Sequence, residues 1–243
     1  MDSPDGPADG TPSISRRQLF AASGAALVLG AGGTEIGNLF TAGSAPSGAI
    51  PPDVDLMVEH GVLKRVLLIY QAGIDRISAG EPAPLAAIHA GAEIVHDFVE
   101  GFHEALEEGF VFPQLRAVGV LVSTVDTLYL QHARGRQLTQ LILSSSSNPP
   151  TRTGNGESLS AAMTAFVRMY QPHEAREDTV VFPAFRATHT PEQLVELANT
   201  FSELQREQFG AGAVADIVAR VADVEMSLGI YDLNQFTPPP LTS

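Results

Sequence analysis

Histidine and glutamate recur in this chain at spacings that can hold a metal ion. The stretch His103-Glu104-Ala105-Leu106-Glu107-Glu108-Gly109-Phe110-Val111-Phe112-Pro113 has a counterpart 70 residues later. That counterpart is His173-Glu174-Ala175-Arg176-Glu177-Asp178-Thr179-Val180-Val181-Phe182-Pro183. The two match in register at His, Glu, Ala, Glu, an acidic residue, Val, Phe and Pro. Residues four apart share one face of a helix, about 6 Å apart along its axis. His103 with Glu107, and His173 with Glu177, can therefore each meet one cation. A further histidine precedes each stretch: His60 lies 43 residues before His103, and His132 lies 41 before His173. Six candidate metal ligands result: His60, His103, Glu107, His132, His173 and Glu177. Cysteine is absent, which excludes thiolate ligands, a thiol nucleophile and a disulfide framework. Imidazole and carboxylate suit iron, manganese or zinc rather than Cu(I).

A lone His-x-x-x-Glu pair is weak evidence, because exposed helices use the same spacing for ion pairs. Two more occur here, His89/Glu93 and His96/Glu100; only the pairs at 103 and 173 sit in duplicated surroundings. His96 lies about 10.5 Å along the helix from His103, too far to share a metal closely. It is expected to be a core or supporting histidine, and His89 and His189 to be solvated. Glu104 and Glu174 sit about 100° around the helix from the paired histidines. They are further candidate donors, acceptors for imidazole N–H groups, or surface charges. Tyr129 and Tyr170 precede His132 and His173 by three residues. Core packing is expected of both, with a hydrogen bond near the site as the alternative.

Helices must position these groups. Leu56, His60, Leu63, Leu67 and Tyr70 make one face of a first helix, with Asp53 as its expected cap. A second helix is expected from about Leu85 to Glu108, ending near Pro113. A third runs from about Gly119 to Leu143, with Leu121, Val125, Leu128, His132, Gly135, Thr139 and Ile142 inward. Residues 144–157 read as a flexible loop. A fourth helix runs from about Ser158 to Arg186, and Pro172 inside it should kink or restart it. Thr190-Pro191-Glu192 looks like a cap. It opens a fifth helix to about Gln208, and a sixth runs from Ala213 to Leu228. The tail from Asn234 is expected to be extended. No long period-2 segment appears, so the class is all-α. Two helical hairpins, each offering His and then His-x-x-x-Glu, pack as a four-helix bundle.

Arg16-Arg17 stands before an apolar run, Leu19 to Gly33, that is too short to span a bilayer comfortably. This resembles a twin-arginine export signal, so a periplasmic or extracellular location is expected, with membrane contact only through that segment. The expected domains are 1–49, signal and linker; 50–189, the bundle; and 190–243, a helical extension with a proline-rich tail. The formal net charge is −14, which argues against nucleic acid as a partner. Lys64 is the only lysine, and nothing in the sequence explains that bias.

Met57-Val58-Glu59-His60-Gly61, Gln131-His132-Ala133-Arg134-Gly135-Arg136 and Tyr170-Gln171-Pro172-His173-Glu174-Ala175-Arg176-Glu177-Asp178 resemble the hemerythrin family, specifically bacterial HHE cation-binding domains. The likeness covers about residues 53–187. It implies an up-down four-helix bundle, with additional C-terminal helices here, around a non-haem di-iron centre, manganese or zinc being alternatives. Oxygen-carrying hemerythrins have a second histidine where Arg136 stands, and use an Asp at the place of Asp178. Glu177 fits the duplicated pattern better. The resemblance thus implies a di-iron protein that binds or responds to O₂, NO, peroxide or iron, and the N-terminal segment implies its export. The alternative is a di-iron enzyme with oxidase, ferroxidase or peroxide-decomposing activity.

Overall fold

The structure, a computed structural model, describes residues 50–147 and 156–241. The expected export signal lies outside the described residues. Among the described residues there is no strand. Six helices follow in order: α1 (Pro52–Ser78), α2 (85–117), α3 (Val122–Ser146), α4 (156–187), α5 (Pro191–Phe209) and α6 (Ala213–Leu228). A 3₁₀ turn at Leu233–Phe236 and an extended tail end the description. α1 packs on α2 and α4, and α3 packs on the same two, which closes an antiparallel four-helix bundle. No helix among the described residues is long and apolar enough to cross a membrane.

The expected faces are the buried ones. Leu56, His60, Leu63, Leu67 and Tyr70 of α1 are buried, as are Val125, Leu128, His132, Gly135, Thr139 and Ile142 of α3. Leu121 departs from its expected place on that stripe. It stands half-buried at the start of α3 in the left-handed region, with φ of 53°. Asp53 does not cap α1. It lies inside the first turn, buried, and accepts a 2.6 Å hydrogen bond from Arg186 Nε of α4. Thr190 does cap α5, in a reciprocal pairing with Gln193. α3 outlasts its expected end, and within the added turn the Ser144 and Ser146 hydroxyls bond back to the Leu141 and Ile142 carbonyls.

Both duplicated stretches carry a π-helical turn, at Glu107–Val111 and Glu177–Val181. The Phe112 and Phe182 amides each bond five residues back, to the Glu107 and Glu177 carbonyls. α2 therefore does not end near Pro113. Pro113 and Pro183 occupy the second position of the α-helix that resumes, where a missing N–H deprives no carbonyl of an α-helical partner. Pro172 likewise leaves α4 helical through Arg176.

α5 and α6 cover the α1–α2 face of the bundle. Phe201 packs on Phe110, and Phe209 on Phe98 and Phe102. Arg65 of α1 makes a forked pair with Glu225 of α6, Nε and Nη2 lying 3.0 and 2.5 Å from its carboxylate oxygens.

Candidate metal centre

Each bundle helix delivers its part to one buried locus. His60, His103, His132 and His173 are 4 % exposed or less, and Glu107 and Glu177 are 0 % exposed. His60, His103 and Glu107 form one group with donor atoms close enough to share an ion; His132, His173 and Glu177 form another. The carboxylates lie between the groups. Glu107 is 3.6 Å from His103 Nε2 and 3.4 Å from His132 Nε2; Glu177 is 3.0 Å from His173 Nε2 and 3.4 Å from His60 Nε2. All six expected residues are thus together.

The outer nitrogens decide what the inner ones can do. The Nδ1 of His60 faces Asp178 Oδ1 at 2.7 Å, and that of His103 faces Glu59 Oε2 at 2.8 Å. The Nδ1 of His132 faces Glu108 Oε1 at 3.0 Å, and that of His173 faces Gln131 Oε1 at 2.9 Å. Four acceptors place the proton of each neutral ring on Nδ1 and leave a lone pair on Nε2. Those lone pairs converge: His132 Nε2 and His173 Nε2 are only 3.3 Å apart. All four oxygens of Glu107 and Glu177 are buried without a hydrogen bond. Lone pairs turned on one another and on bare carboxylates repel unless cations lie between them. The donor set therefore fits metal ions.

A pseudo-two-fold relation extends beyond the six. Glu59 and Gln131 each directly precede a site histidine. Asp178 and Glu108 orient those same two histidines, His60 and His132, while Glu59 and Gln131 orient His103 and His173. Lys64 Nζ lies 2.8 Å from Asp178 and 3.6 Å from Glu174; Arg136 lies 2.6 Å from Glu108 and 2.7 Å from Glu104. The only lysine thus has a structural role, as the counterpart of Arg136, four residues past its histidine. The position of a second third-helix histidine in oxygen carriers is held here by a guanidinium. A third acidic group, Glu104, Glu108 and His132, already contains that cation.

Glu104 and Glu174, the further candidate donors, are both buried but differ. Glu104 accepts from the Tyr170 hydroxyl at 2.7 Å and from Arg136 at 2.7 Å, so both oxygens are engaged. Glu174 has neither oxygen in a hydrogen bond. The Tyr170 ring reaches Glu104 because position 135 is glycine: a Cβ there would sit 2.0 Å from the tyrosine oxygen. The Tyr129 hydroxyl bonds to the Glu108 carbonyl at 3.2 Å, so both tyrosines serve the locus. His96 is not a core histidine; it is about one-third exposed and 2.8 Å from Asp97, its side of α2 facing outward. His89 is half-buried against the Ser146 hydroxyl, and His189 against the Phe185 carbonyl.

Protons can do part of a cation's work here. Burial, followed by the charge of Glu177, pushes the Glu107 carboxyl well above the ordinary range. Burial opposes ionisation of Glu177 too, but His173 and then His60 outweigh it and hold Glu177 well below. His60 is lifted to about 9: burial resists its protonation, but the hydrogen bond to Asp178 and the charge of the neighbouring Glu177 carboxylate prevail. Burial lowers His103, and the neighbouring charge of His60 lowers it further.

Glu59, Glu108, Gln131 and Lys64 escaped sequence reasoning as site residues. Aligning α1 on α3, as α2 was aligned on α4, pairs Glu59 with Gln131 and Lys64 with Arg136.

Three relatives were found in mycobacteria, one in Mycobacterium bovis and two in strains of Mycobacterium tuberculosis, each named only as an uncharacterized protein. Each is 45 % identical over 189 residues, covering 76 % of this chain and 72 % of the relative. No solved structure gives a significant match. The description "Hemerythrin HHE cation binding domain" matches residues 52–185, the span of the four bundle helices and all six clustered residues. The chain therefore belongs to the hemerythrin HHE cation-binding domain family.

Proposed function

We propose that this chain is an exported non-haem di-iron protein that binds or responds to O₂, NO, peroxide or iron. His60, His103 and Glu107 would hold one ion, and His132, His173 and Glu177 the other, with each carboxylate placed to reach across. A pair of irons would supply reversible one-electron chemistry and affinity for small oxygen and nitrogen ligands. The chain's own contribution is orientation. Asp178, Glu59, Glu108 and Gln131 fix four imidazoles with Nε2 inward, while Phe182 and Phe112 stack on His60 and His132 with centroids 5.4 Å away. The carrying observation is the pair of buried carboxylates without hydrogen bonds among four inward lone pairs. Charge supports it as well. Glu59, Glu104, Glu107, Glu108, Glu174, Glu177 and Asp178 face only Lys64 and Arg136 as fixed cations. Fully ionised, that excess of about five negative charges is close to what two divalent ions neutralise.

The test is metal content beside the visible spectrum of the chain purified with iron. About two irons per chain are expected, as in other bundle-core di-metal sites, falling to one or fewer in Glu107→Ala. Well under one metal per wild-type chain would overturn the reading. Steady peroxide decomposition or Fe(II) oxidation by the same sample, lost in Glu107→Ala, would instead favour the enzyme. Export by the twin-arginine route rests on Arg16-Arg17 and the apolar run after them; Arg16→Lys with Arg17→Lys should keep the chain in the cytoplasm.

A further inference from the structure

The two-fold relation fails at one place, and the failure is a cleft. A cavity of about 340 Å³ opens between α3 and α4, and His173 lies in its wall. Ser123, Thr124, Thr127, Gln131 and Arg176 also line it, and no carboxylate does. The related positions on α1 and α2 are different in kind. Asp55 and Glu59 replace Thr127 and Gln131; Phe102 and Leu106 replace Pro172 and Arg176. Phe102 and Leu106 are each 1 % exposed. α5 seals that side, with Phe209 against Phe102 at 5.5 Å and Gln208 reaching the Gly101 carbonyl. The C-terminal extension thus covers the α2 side of the bundle, while His173, itself buried, lies in the wall of a cleft that the extension leaves uncovered.

The chemistry of the open side selects its visitors. Arg176 is exposed and has no hydrogen-bond or ion-pair partner among the described residues. In a chain with twice as many acidic as basic residues, such an unpaired guanidinium above three hydroxyl side chains forms a local positive spot. It attracts anions that the rest of the surface repels. Thr127 and Gln131, where Asp55 and Glu59 stand on the sealed side, remove two charges that would turn them back.

We propose that the α3–α4 cleft is the doorway for small monoanions of formate or nitrite size to the candidate metal centre. Arg176 draws them in, and the Ser123 and Thr124 hydroxyls solvate them on the way to His173. The role as doorway rests on the metal reading; access and anion binding do not, so both are tested on the full chain without metal.

Carbethoxylation by diethyl pyrocarbonate, mapped by peptide mass spectrometry, reads access. His173 should react roughly tenfold faster than His103, in line with the difference between an open and a sealed wall. Thr127→Trp, which fills the cleft from an exposed position, should remove that difference. Equal rates in the unaltered chain would overturn the proposal. Formate titration followed by NMR reads selectivity. Saturable shifts are expected at the Gln131 side-chain amide and the Arg176 Nε–H, and should be lost at Gln131 in Arg176→Glu. No saturable shift in the unaltered chain, or the same shift in Arg176→Glu, would overturn it too. Metal content, measured separately, decides the metal reading without touching either result.

Discussion

Gly135→Ala sets two effects of opposite sign against each other. Alanine in a helix interior is worth about 1 kcal/mol over glycine, so propensity alone predicts a more stable protein. The packing says otherwise. The new Cβ would lie 2.0 Å from the Tyr170 oxygen, 2.8 Å from Cζ and 3.0 Å from Cε2. Tyr170 cannot step aside easily, since Phe166 and His173 hold its ring with centroids at 4.3 and 5.2 Å. Overpacking of this kind costs about 1–3 kcal/mol. Moving the hydroxyl also breaks its 2.7 Å bond to buried Glu104, at about 1–3 kcal/mol more. The expected net result is a loss of about 3 kcal/mol, read as a lower urea midpoint at unchanged slope. In a Tyr170→Phe background the worst contact is gone, so the added cost of Gly135→Ala should fall by about 1–2 kcal/mol. A Gly135→Ala protein as stable as the parent, or an equal cost in both backgrounds, would refute this account of why position 135 is glycine.

Two further perturbations probe other parts of the molecule. The Glu100 carboxyl is raised to about 7, chiefly by burial and next by the charge of Glu104. The folded state therefore holds its proton more tightly than the unfolded chain. The stability this confers is full below the ordinary value of 4.5 and is lost as pH climbs through 7. About 3 kcal/mol is at stake, and Glu100→Gln should flatten the melting temperature against pH over that window; an unchanged slope would count against it. Arg65→Ala leaves Glu225, 4 % exposed, without its forked partner, at a cost of about 3 kcal/mol. Amide exchange should quicken in α6 while α3 keeps its protection, and uniform quickening would show that the extension is not anchored there.

The candidate centre was legible in the sequence because duplication writes the same His-x-x-x-Glu spacing twice. His103/Glu107 and His173/Glu177 could be compared with each other, and chance pairs such as His96/Glu100 could not. The residues that aim the imidazoles were less visible. Glu59 and Gln131 differ in type, and Asp178 and Glu108 orient histidines on other helices, which is a matter of packing rather than spacing. Element ends were misread where a local rule met a tertiary one. Proline normally stops a helix, but the π turn before Pro113 relieves the conflict. An aspartate before an apolar run normally caps, but Asp53 is taken by Arg186 from the last turn of α4.

The π turns at Glu107–Val111 and Glu177–Val181 make a residue count matter inside a helix. Along a regular α-helix, the fifth residue past Glu107 would point about 140° away from it. The wider turn brings Phe112 and Phe182 back over His132 and His60. Removing one residue from either turn would keep composition, apolar pattern and helicity. Yet it would swing the following turn by about 100° and pull the aromatic cover off an imidazole. These two segments are rulers, each a fixed number of residues long. Insertions and deletions that a surface loop absorbs silently would here break the register between a site carboxylate and its aromatic cover.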